Sequence, residues 1–84
     1  MHDVDFEGLQ PGTLVKAKTK NTLYQFKVTE DGIYVYDGGK RFEKFEKTDL
    51  CYLRVGYRAV FQHPHVEASF VWTTIVQSIS VENF

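Results

Sequence analysis

Residues 13 to 29 read TLVKAKTKNTLYQFKVT, and their alternation decides the class of fold. Val15 and Ala17 fall on one side of an extended chain and Leu14, Lys16 and Lys18 on the other; Tyr24, Phe26 and Val28 likewise oppose Leu23, Gln25 and Lys27. Strand side chains alternate between faces with a period of two, so each run presents one apolar face. A short loop around Lys20 and Asn21 pairs Ala17 with Tyr24 and Val15 with Phe26, apolar against apolar, and leaves the lysines together outside. A slip of one residue would send the apolar set into solvent. An antiparallel hairpin is predicted.

The same period extends in both directions. Pro11-Gly12 suits a type II turn, in which Pro fixes the first central dihedral and Gly takes the positive one. Glu30-Asp31-Gly32 reads as the next turn, and the strand after it carries Ile33 and Val35 on one face, Tyr34 and Tyr36 on the other, until Asp37-Gly38-Gly39 ends it. KRFEKFEKT, residues 40–48, admits one short helical turn, with Phe42 and Phe45 three apart and Glu43 four before Lys47, or an irregular edge strand. From Cys51 to Phe61 every odd position is apolar, while the even face reads Leu50, Tyr52, Arg54, Gly56, Arg58, Val60, Gln62. One long strand bent at Gly56 is predicted. VEASFVW follows, with Val66, Ala68, Phe70 and Trp72 on its inner face, and after Thr73-Thr74 a last strand turns Ile79 and Val81 inward. No window carries the spacing of an amphipathic helix.

Between the two aromatic strands lies His63-Pro64-His65, with Glu67 two residues on, a pattern that raises metal binding. A four-residue loop with Pro64 second sets Gln62 opposite Glu67 and Phe61 opposite Ala68, and leaves both histidines on the turn rather than beside Glu67 on a strand. A metal needs three or four converging ligands. The remaining donors are Cys51, in an inward position, and His2, in a leading segment (residues 1–8) expected to be loose. No metal and no cofactor is expected.

Composition sets further bounds. The 84 residues make one domain, 43% hydrophobic and 15% aromatic, the balance of a folded chain whose small core relies on large side chains. One cysteine permits no internal disulfide, which in so small a domain favours a reducing cytoplasm. The acidic start MHDVDFEG is unlike a signal peptide, and polar residues interrupt the longest uncharged run, residues 68–81, so no membrane insertion is expected.

Catalytic signatures are absent: no nucleophile elbow, no phosphate-binding spacing around Asp37-Gly38-Gly39-Lys40, and a Cys51 that alternates in step with Leu53 and Val55 as a small core residue. The chain is expected not to be an enzyme. Three sets of residues remain as candidate binding groups. Lys16, Lys18 and Lys27 make a basic face that suits a phosphate backbone, though net charge is −1. Tyr34 and Tyr36 suit a protein interface or a stack of bases. Arg54 and Arg58 flank Gly56 on one face, where two guanidiniums beside an uncovered backbone suit a carboxylate or an acidic peptide; pairing with an acid such as Glu67 explains them as well.

The lead-in Leu9-Gln10-Pro11-Gly12 resembles that of many SH3-like domains, and Thr73-Thr74-Ile75-Val76-Gln77-Ser78-Ile79 is similar to the turn and last strand of several. The fold expected is all-β: a small antiparallel SH3-like barrel or β-roll of five to seven strands, with an OB-like barrel as the alternative. The function expected is a protein-interaction module of bacterial or phage type, an inhibitor, adaptor or assembly subunit, with an aromatic/Arg face or an uncovered strand edge meeting the protein partner. Single-stranded nucleic-acid binding on the Lys/Tyr face is the second expectation, and a structural homo-oligomer the third.

Overall fold

The computed structural model describes residues 3–49 and 52–84. Leu50, His2 and Cys51, to which sequence assigned places, lie outside them. The described chain holds nine short strands: β1 (Asp3–Val4), β2 (Thr13–Lys18), β3 (Leu23–Thr29), β4 (Gly32–Tyr36), β5 (Glu46–Thr48), β6 (Leu53–Arg54), β7 (Arg58–Gln62), β8 (Phe70–Ile75) and β9 (Ser78–Asn83), with one 3-10 turn at Phe6–Gly8.

The hairpin read from residues 13–29 has the predicted register, Ala17 facing Tyr24 and Val15 facing Phe26. Its lead-in is also as read: the Thr13 N–H donates to the Gln10 carbonyl at 3.2 Å and Gly12 takes φ +96°. β4 and β5 continue the meander and β9 returns antiparallel beside β2, giving the sheet order β5-β4-β3-β2-β9.

Within residues 40–48, Glu46–Thr48 form a short edge strand, and the six residues before it are an irregular loop rather than the helical turn. Buried Asp37 decides this. Its carboxylate accepts the backbone N–H groups of Lys40 (3.1 Å), Arg41 (2.9 Å) and Phe42 (3.2 Å), which fixes the loop before β5 and places Phe42 in the core. Those charge-assisted bonds outweigh the few tenths of a kcal/mol, at about 0.2–0.5, that a Glu43–Lys47 helical pair offers.

The second half departs from the sequence reading in two ways. First, the long strand is a reversal. Arg54 to Tyr57 form a turn closed by the Tyr57 N–H on the Arg54 carbonyl at 3.2 Å, with Gly56 at φ +91°, and Tyr52 and Val60 exchange both backbone hydrogen bonds (2.7 and 3.0 Å). The connection between Arg54 and Arg58 is three residues, an odd number, so Leu53 before it and Ala59 and Phe61 after it all stay buried. The parity of the residues on either side thus survives a change of direction, and only Tyr57, within the turn, leaves it and faces out.

Second, the β7–β8 register is shifted. Phe61 faces Val71 and Gln62 faces Phe70, leaving seven residues, 63 to 69, in the loop. The His63 ring organises it: Nδ1 accepts the N–H groups of His65 (3.0 Å) and Val66 (3.2 Å), while the His63 N–H donates to the Ser69 carbonyl at 2.8 Å. Changing the loop from four residues to seven inverts the parity of β8. Val71 and Thr73 now face the core, and Phe70 and Trp72, assigned inward by the sequence reading, face out.

These strands do not close into a barrel; β1–β6 and β7–β8 are separate two-stranded ladders beside the open five-stranded sheet. Core residues come from both sides: Val15, Ala17, Tyr24, Phe26 and Val35 from the large sheet, Leu53, Ala59, Phe61 and Val71 from the smaller ladders. Fully buried Phe61 is the hub, its ring 5.7 Å from Phe26, 6.1 Å from Tyr24 and 6.3 Å from Phe42, each edge to face. Aromatic pairs prefer that geometry. Within residues 3–8, Val4 lies opposite Leu53 and the Phe6 ring is 5.6 Å from Phe26. Ile79 is buried as predicted; Val81, also expected inward, is exposed.

Candidate functional site

The inverted parity of β8 builds an apolar outer face. Tyr52, just before β6, Val60 on β7 and Trp72 on β8 stand side by side, since Val60 is opposite both of the others. A bulge adds Ile75. Arg58 faces Ile75 while Val60 faces Trp72, so Thr73 and Thr74 together oppose Ala59. The buried Thr73 hydroxyl fills the gap, accepting the Ala59 N–H at 2.9 Å and donating to the Thr74 carbonyl at 2.6 Å. One extra residue shifts the alternation, so Ile75 emerges on the same side as Trp72 and Val76 returns to the core.

The result is an open groove of about 610 Å³ lined by Tyr52, Gly56, Tyr57, Arg58, Val60, Trp72 and Ile75. Trp72 is 62% exposed and Tyr57 51% exposed, with Tyr52, Phe70 and Ile75 close to half. A contiguous patch of large apolar side chains is the kind of surface that marks a docking site, whereas single scattered ones need no explanation. Two arginines border it. Arg58 Nη1 donates to the Thr73 carbonyl at 3.2 Å, and the Arg54 guanidinium lies 5.1 Å from the centre of the Tyr57 ring.

Of the residues singled out in the sequence, Arg54, Gly56 and Arg58 belong to this site, but the backbone of Gly56 is not uncovered. Its N–H donates to the Val76 carbonyl at 2.9 Å, and the Val76 N–H to the Tyr57 carbonyl at 2.9 Å. Glu67 sits in the 63–69 loop and pairs with neither arginine.

Lys16, Lys18, Lys27, Tyr34 and Tyr36 gather elsewhere, on the outer face of the five-stranded sheet. Lys16 is in register with Gln25 and Gln25 with Tyr36, while Lys27 faces Tyr34. Both tyrosines are half-buried, and Tyr36 packs on Phe45 at 5.3 Å. Two of the cations are already engaged: Lys16 pairs with Glu82 at 2.9 Å, and Lys27 Nζ lies 4.2 Å from the Phe45 ring centre and 5.2 Å from that of Phe84.

The histidines occupy the loop, with His65 Nε2 2.6 Å from Glu46 Oε2. Among the described residues no three His, Cys, Asp or Glu side chains are grouped to hold a metal ion, and no helix is long and apolar enough to cross a membrane.

Sequence reasoning missed most of the apolar face. Phe70, Trp72 and Tyr57 were assigned inward, and Ile75 was read into the last strand. The adjacent β-branched pair Thr73-Thr74 is the available hint of a bulge; the length of the preceding loop leaves no comparable mark. Comparison with protein-family models, with curated proteins and with solved structures gave no match.

Proposed function

We propose that this chain is a non-enzymatic protein-interaction module that docks a protein partner on the outer face of β7 and β8. The observation that carries this reading is the exposure of Trp72 beside Tyr52, Tyr57 and Ile75, with Arg54 and Arg58 at the border. Trp, Tyr and Arg are the residues that most often dominate the binding energy of protein interfaces. An inhibitor, adaptor or assembly subunit of bacterial or phage type, working in the cytoplasm, fits a small chain built around one such face. The finer fold assignment, an SH3-like roll, is part of the same proposal; the meander β2 to β5 with the last strand returning beside β2 supports it.

A second reading places single-stranded nucleic acid on the outer face of the large sheet. Its support is the shared face of Lys16, Lys18, Lys27, Tyr34 and Tyr36. Against it stand the engagement of Lys16 and Lys27 and the net charge of −1.

Affinity capture from host extract with three baits separates these readings. The wild type and a Lys16→Ala plus Lys18→Ala variant should retain the same protein in moderate salt, and Trp72→Ala should lose it. Retention by Trp72→Ala, or a nuclease-sensitive, salt-labile catch lost with the lysines, would reject the proposal. The third reading, a homo-oligomer, predicts instead that the pure protein exceeds monomer mass on dilution and that Trp72→Ala dissociates it.

A further inference from the structure

We infer that the segment received by this face carries a carboxylate, held by Arg58, with apolar or aromatic side chains beside it seated in the Tyr52–Val60–Trp72 groove. The inference rests on the docking reading and names the chemistry of the partner. Arg58 lines the groove and is exposed, and a hydrogen bond from Nη1 to the Thr73 carbonyl at 3.2 Å ties the guanidinium down, while among the described residues its other N–H donors have no hydrogen-bond partner. A guanidinium has five donors in a rigid fork that matches a carboxylate. Arg54 adds a second cation, held against Tyr57.

Neither arginine contacts a carboxylate among the described residues. Among the described residues the carboxylate contacts of cationic or histidine side chains are Lys16–Glu82 and His65–Glu46. Asp3, although in register with Arg54, forms no such contact. Two arginines on the rim of an apolar groove are complementary to a discrete negative charge flanked by apolar groups. A charge-assisted bond gains strength where neighbouring apolar surface excludes water.

The same features disfavour a nucleic acid. A phosphate backbone is followed by a series of cations, but the groove has Arg58 alone in its lining and Arg54 at its edge. Asp3 and Asp5 line the adjoining hollow with Tyr52 and Arg54, where they repel a run of phosphates more than a single carboxylate. The lysines lie on the other sheet.

Displayed random peptides selected on the immobilised protein test the inference, with Trp72→Ala and an Arg54→Gln plus Arg58→Gln variant as parallel baits. Both arginines are exposed, so circular dichroism of the second variant should match the wild type. The result expected is Asp or Glu enriched next to aromatic or aliphatic residues. Selected peptides should shift the emission of the single tryptophan and bind the double-arginine variant about tenfold more weakly or worse, with partial recovery in Arg58→Lys. Peptides that depend on Trp72 but show no acidic enrichment and ignore the arginines would overturn this inference and leave the docking reading standing. No Trp72-dependent peptide at all, or a salt-sensitive emission change with oligothymidylate instead, would overturn both.

Discussion

Val60 and Trp72 stand directly opposite each other on β7 and β8, and that pairing carries the chain's single indole onto the outer face, 62% exposed. The four-residue loop expected from sequence would have put the same ring in the core. Intrinsic fluorescence distinguishes the two registers. The folded protein should emit at the wavelength of a wetted indole and be quenched by acrylamide nearly as well as the urea-unfolded chain. Blue-shifted, protected emission would refute the observed register. Trp72→Ala should change unfolding free energy by no more than about 0.5 kcal/mol, as at other surface positions.

The contrast between the two hairpins shows what alternation encodes. Residues 13–29 were legible down to the register because only one pairing sets Val15 and Ala17 against apolar partners across a short loop. In the second half, alternation specified which residues share a face within each run but not how many residues a connection holds. An odd connection at Val55–Tyr57 preserved the parity of Leu53, Ala59 and Phe61 and so hid the reversal. The loop at 63–69 changed parity because of ring-to-backbone bonds from His63, a tertiary detail with no pattern of its own. That Arg54 and Arg58 lie near each other around Gly56 was therefore legible, although they flank a turn and not a strand face, and the apolar residues of β8 beside them were not.

Gly56 offers a direct check of the reversal. At φ +91° it occupies a conformation that L side chains rarely adopt, yet a Cβ there would meet nothing within 4 Å. The cost of Gly56→Ala is thus purely one of backbone strain, roughly 1–2 kcal/mol. Gly8, with the same open surroundings but no positive φ, should accept Ala with little loss. Urea unfolding midpoints compare them. Equal midpoints for the two variants would argue for an extended strand through Gly56.

Asp37 makes a complementary case from the polar interior. It is 2% exposed, and its carboxylate is the acceptor for three consecutive backbone N–H groups. Asp37→Ala leaves those donors without their partner and should cost about 2–3 kcal/mol, by the scale of hydrogen bonds to a charged group. Asp37→Asn keeps one carbonyl oxygen and should lose less. Chemical denaturation again reads the effect, and near-UV circular dichroism should show the Phe42 environment loosening first. An Asp37→Ala protein as stable as the wild type would mean that water replaces the carboxylate without loss.

Tyr24 links the core to alkaline pH. Burial pushes its hydroxyl above the ordinary 10.0; Arg41 pulls it down, Asp37 pushes it up, and a hydrogen bond with Thr22 pulls it down, and burial prevails. The folded state therefore holds this proton more tightly than the unfolded chain does. The stability tied to it is fully present below pH 10.0, where Tyr24 is neutral in both states. It is lost as pH rises from there through the folded-state value, because the unfolded chain releases the proton first. Urea unfolding of wild type and Tyr24→Phe, followed from about pH 9 to about pH 11, isolates this contribution, since other groups titrating in that window are common to both proteins. Wild-type stability should fall more steeply than that of Tyr24→Phe. Parallel curves would show that the ring reaches solvent and that the Phe26–Phe61 cluster does not seal it.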